Sequence, residues 1–106
     1  MEPTVFTDVA SQVEIPADGT LSRTLFADDR LRVVVFAFDQ GQVLTEHTAG
    51  VPADIEVNRG RLRMTLGDQP GDEAVPGCWI HMPAHLPHSV LALEPSVMLL
   101  SMLRDG

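Results

Sequence analysis

The chain has 106 residues, 44% of them hydrophobic and 21% charged, with a formal net charge of −8 and a pI near 4.7. This length holds one domain that buries about two thirds of its unfolded surface, and the apolar content excludes a disordered chain. The negative charge repels phosphate backbones and anionic lipid, so neither nucleic acid nor a membrane surface is expected as a partner. No apolar run approaches the roughly 18 residues of a membrane span, and MEPTVFTDVA has neither a basic region nor a long apolar core. A cytoplasmic protein is expected. Cys78, the single cysteine, cannot form an internal disulfide, in keeping with a reducing compartment.

Eight prolines and eight glycines spread along the chain are the punctuation of many short strands. Residues 1 to 19 carry Val5, Val9, Val13 and Ile15 among polar neighbours and close at Pro16-Ala-Asp-Gly19, which predicts one or two edge strands ending in a turn. Thr20 to Phe26 reads as a short strand, and Ala27-Asp-Asp-Arg30 as a turn. Leu31 to Phe38, LRVVVFAF, is apolar on both faces. Such a strand must be covered twice, once by the core and once by a packed N-terminal segment or a second subunit, so a homodimer is expected.

From Gly41 the period of two is clear. Ala53, Ile55 and Val57 alternate with Asp54, Glu56 and Asn58, and Leu62, Met64 and Leu66 alternate with Arg61, Arg63 and Thr65. Asn58-Arg59-Gly60 is expected to join these two strands as a hairpin. Carried back through Pro52, the same parity puts Thr45, His47 and Ala49 inward, unless a bulge resets it. Gly67-Asp-Gln-Pro-Gly71 reads as a loop. In the next strand Ile80 and Met82 share one face, with Trp79 and His81 on the other. Pro83-Ala-His-Leu-Pro87 is a bend leading into a strand with His88, Val90 and Ala92 on one face, and Ser96 to Leu103 is a last apolar strand. An all-β sandwich or barrel follows.

Two stretches resemble the paired motifs of the cupin superfamily. In the first, G(X)5HXH(X)3,4E(X)6G, Gly41, His47 and Gly60 keep their spacing, while Ala49 and Ala53 stand in the places of the second histidine and the glutamate. In the second, G(X)5PXG(X)2H(X)3N, Gly77, Pro83 and His88 keep theirs, with His85 in the glycine place and Ala92 in the asparagine place. The resemblance covers residues 41 to 92 and implies a double-stranded β-helix, or jelly-roll barrel, of the small conserved-barrel (cupin 2) type.

In metal-bearing cupins three histidines and a glutamate converge on iron, manganese, nickel or zinc, and only His47 and His88 of that set are present here. The resemblance makes them the candidate metal ligands, with His85 as the replacement nearest to hand. Glu46 has the wrong parity, Glu56 lies on a polar face, and His81 points outward. Cys78 reads as a small buried hydrophobe, and no Ser/His/Asp set or phosphate loop is present. Alanines at 49 and 53 widen the interior and make it apolar. The expected pocket therefore comprises His47, Ala49, Ala53, Ile55, Val57, Met64, His88 and Val90, suited to a small, partly apolar molecule. The catalytic residues are not identified. The alternatives are a metal-dependent dioxygenase or isomerase using His47 and His88, and a dimeric scaffold or regulatory module.

Overall fold

In the computed structural model, which describes residues 1–104, nine strands follow one helical turn. They are β1 Thr20–Ala27, β2 Leu31–Phe38, β3 Val43–His47, β4 Ala53–Arg59, β5 Leu62–Leu66, β6 Gln69–Ala74, β7 Trp79–Met82, β8 His88–Ala92 and β9 Ser96–Leu103. They make a five-stranded sheet, β1-β2-β9-β4-β7, and a four-stranded sheet, β3-β8-β5-β6. Every pairing is antiparallel. The result is the expected jelly roll. No helix among the described residues is long and apolar enough to cross a membrane.

The alternating patterns build the core directly. Ala53, Ile55 and Val57 of β4, Leu62 and Met64 of β5, and Val90 and Ala92 of β8 meet Phe38 and Met98 between the sheets. Their polar alternates face outward, as the period of two requires. On β2, Phe36 and Phe38 join this core. The other face, Val35 and Ala37, is also fully buried, in a second cluster with Val97 and Val13 that Val9, Ala10 and Ile15 extend.

That second cover corrects the expectation for residues 1–19. No strand forms there; Val9–Gln12 is a 3-10 turn. The segment lies across the outer face of β2 and β9, where Val13 is buried, and the Arg23 guanidinium donates to Gln12 O at 3.1 Å. Burial of Val13, with Val9 packed against the same cluster, rather than edge pairing, decides its shape. Asp39 then ties down the turn that follows, accepting from Asp18 N at 2.7 Å and from Gln40 N at 2.8 Å.

Two further expectations are corrected. β4 and β5 are not a hairpin: β4 pairs with β7 and β9, and β5 with β6 and β8. The chain crosses from one sheet to the other at Gly60, whose φ is +82 and whose hydrogen faces Pro95 O and Ser96 Oγ so closely that a Cβ would overlap both. An alternating strand, a glycine turn and a second alternating strand look the same for a hairpin and for a corner between sheets. The Gly67–Gly71 loop is likewise a two-residue turn followed by β6. Pro70 is tolerated because β6 is an edge strand. Gly71 is required because a Cβ there would lie 2.6 Å from Met64 O.

Candidate functional site

β3 and β8 are neighbours at one edge of the four-stranded sheet, and their register sets His47 opposite His88. The imidazole centroids are 4.0 Å apart with the rings inclined at 60°. His88 is buried at 5% exposure, whereas His47 is exposed at the rim. A bulge between Leu44 and His47 delivers this pairing. It resets the parity of β3, so that Leu44 packs on the core while Thr45 and Glu46 are exposed.

Each ring is held by a backbone carbonyl two residues before it, in β3 for His47 and in the 83–87 bend for His88. His47 Nδ1 lies 2.8 Å from Thr45 O, and His88 Nδ1 lies 3.0 Å from Leu86 O. A carbonyl only accepts, so both Nδ1 atoms carry the proton and both Nε2 lone pairs remain free when the rings are neutral. The pair therefore offers two acceptors, on rings inclined to each other. When protonated, the same nitrogens become donors.

His85 holds the bend together in another way. Its φ is +69, in the region that favours glycine, which accounts for the glycine of the motif at this place. Its backbone N donates to Ala49 O at 2.7 Å, joining the 83–87 bend to the 48–52 loop at the rim. The side chain is exposed beside Gly50, 4.0 Å from where a Cβ on that glycine would sit. Among the described residues no three of His, Cys, Asp and Glu gather as metal ligands, so His85 does not complete a set with His47 and His88. Resident divalent metals usually take three or four protein donors. With alanine at 49 and 53, the donor set present does not fit a tightly held ion.

The apolar residues expected around the histidines are brought together as core. Ala53, Ile55, Val57, Met64 and Val90 are each 1 to 3% exposed in the inter-sheet cluster, while Ala49 is half-buried at the rim. His81 lies on the outer face as expected, 2.6 Å from an Asp54 carboxylate oxygen and stacked near Trp79. The sequence reading missed the far end of the inner face. Register carries one row from His47 through His88 and Leu66 to Gln69, and the next from Leu44 through Val90 and Met64 to Asp72. With β6 read as a loop, nothing placed Gln69 or Asp72 in these rows.

No protein-family model and no curated protein matches the chain. Solved structures do. A conserved protein of unknown function from Streptococcus pyogenes is 32% identical, with a TM-score of 0.85 over 100% of this chain and 92% of its own. A cupin superfamily protein from Desulfitobacterium hafniense is 25% identical, with a TM-score of 0.87 over 99% of this chain and 95% of its own. The chain belongs to the cupin superfamily. A cupin 2 conserved barrel domain protein from Leptotrichia buccalis is also similar, 27% identical with a TM-score of 0.81, covering 90% of this cupin and 46% of the longer chain.

Proposed function

We propose that this cupin binds a small, partly apolar molecule at the mouth of its barrel, anchored by His47 and His88, and that its metal site is degenerate. The observation that carries the reading is the pair of imidazoles whose Nδ1 atoms are committed to Thr45 O and Leu86 O. Their free Nε2 atoms accept from a hydroxyl or carboxylic acid, or donate to a carbonyl or carboxylate once protonated. Leu66, half-buried and opposite His88 in the register, then favours a body with little polarity.

The test is a melting-temperature screen of short hydroxy acids, keto acids and alcohols. A compound that stabilises the wild type but not His88→Ala supports the reading, because only binding to the native state raises stability. If every stabilising compound acts equally on both proteins, the imidazole site is rejected. The same free lone pairs are what a metal-dependent dioxygenase or isomerase would need. Elemental analysis of untagged protein after reconstitution with iron, manganese, nickel and zinc separates the two readings. Near-stoichiometric metal in the wild type, lost in His47→Ala, overturns the degenerate-site reading in favour of the enzyme.

A homodimer is also proposed. Two features support it: Trp79 on the edge strand β7 is 63% exposed, and Phe6, Leu25, Phe26, Leu31 and Val33 line an open cleft of about 350 Å³. Light scattering at micromolar concentration is expected to give twice the 11.5 kDa chain mass. The monomer mass rejects the dimer.

A further inference from the structure

At the end of the barrel away from β3, the two sheets finish on strands that do not pair with each other, β6 in one and β7 in the other. Between them lies a cavity of about 190 Å³. Its floor is buried core, Met64 and Ala74 at 3% exposure each, and Leu66, Ile80 and Cys78 form its apolar sides. Gln69, Asp72 and Glu73 stand at the opening. Leu66 separates this cavity from His88, its register partner on β8.

We infer that this seam is a second binding site, for a small organic cation with a compact apolar body, such as a short branched-chain ammonium. The volume equals that of about six waters at roughly 30 Å³ each, so a small metabolite fits and a drug-sized ligand does not. The floor and sides carry no charge and favour an apolar body. The two carboxylates at the opening differ. Glu73 is drawn towards Arg61 and Arg63, at 3.9 and 3.8 Å. Asp72 lies opposite Met64 in the register, on the cavity side, and has no ion-pair partner among the described residues. An ammonium above the cavity would meet Asp72 directly and Gln69 beside it. The formal charge of −8 reinforces that selection by drawing cations and repelling carboxylates. This site does not rest on the imidazole pair, and either can fail without the other.

Cys78 makes the test simple, because it lines the cavity and is the single thiol of the chain. The full-length protein is treated with methyl methanethiosulfonate and modification is followed by mass spectrometry, at constant pH and ionic strength. Isobutylammonium, isobutanol and isobutyrate serve as probes of one shape and three charges. Isobutylammonium is expected to slow labelling saturably, by about fivefold or more at saturation, and more than the other two. Asp72→Asn should abolish the preference for the cation. Glu56→Gln, at an exposed carboxylate of β4 outside the cavity, and His88→Ala should leave it intact, the latter even if the imidazole site is lost. Equal protection by all three probes, no protection by isobutylammonium, or a preference that survives Asp72→Asn overturns the inference.

Discussion

His85 holds a left-handed backbone that costs a side-chain-bearing residue of order 1 to 3 kcal/mol. Its ring supplies no third metal ligand to offset that strain. His85→Gly is therefore expected to raise stability by about 1 kcal/mol in urea unfolding, after the entropy glycine loses on folding. A decrease would mean that the imidazole makes a contact worth more than the strain. Ser96 presents the opposite case. It is fully buried, accepts from Arg61 N at 2.9 Å and donates to Glu94 O at 2.7 Å. Ser96→Ala strips Arg61 N of that partner, and a loss of about 1 to 3 kcal/mol is expected in the same assay. Asp39 sets an acid limit. The Asp18 amide and then the Gln40 amide hold its carboxyl below its ordinary value of 3.8. A carboxyl whose pKa is lowered on folding contributes stability above the unfolded value, and that contribution disappears as the pH falls through the folded value. Between about pH 5 and the folded value, wild type should lose stability more steeply than Asp39→Asn. Parallel curves would remove this carboxyl from the acid response. At this scale the sequence was partly legible: motif spacing picked out His47 and His88, but the commitment of their Nδ1 atoms depends on carbonyls two residues back, which no residue type encodes.

The strands were legible wherever apolar residues alternated. β4, β5 and β8 lie where the period of two put them, because an inward side chain every second residue is what a half-buried strand needs, and β9 lies where its apolar run put it. Legibility failed where something other than patterning set the path. β6 contains Pro70 and Gly71, turn residues by type, yet an edge strand accepts the first and a close approach to Met64 demands the second. The N-terminal segment buries Val13 against Val35, Ala37 and Val97 with no sheet pairing at all. Val13→Ala should accordingly cost about 1 to 2 kcal/mol, a fall of roughly 5 to 10 °C in Tm. Val5→Ala, at a residue 70% exposed, should change stability by less than about 0.5 kcal/mol. Similar losses for both would mean that the segment covers β2 differently. At the Gly60 crossing, Gly60→Ala combines positive φ with overlap on Pro95 and Ser96 and should cost at least about 2 kcal/mol.

For the molecule as a whole, length, glycine and proline spacing and the two motifs were enough to reach an all-β barrel, because that architecture is written in repeated local signals. Which strands share a sheet was not written there. β4 and β5 follow each other directly in sequence and part company in space, and only long-range pairing decides it. The five-stranded sheet shows how far that goes. Its middle strand is β9, which pairs Leu103 with Leu31 on one side and Leu100 with Ile55 on the other. β2 and β4 therefore have no shared neighbour until residues through 103 exist. Loop closure over most of the chain must precede the contacts that join this sheet, so refolding is expected on the millisecond-to-second scale typical of non-local β topologies, with the five-stranded sheet completed only when β9 docks. A nascent or truncated chain ending before Ser96 would expose β2 and β4 as two unpaired apolar edges. Its natural fate is aggregation rather than a smaller barrel.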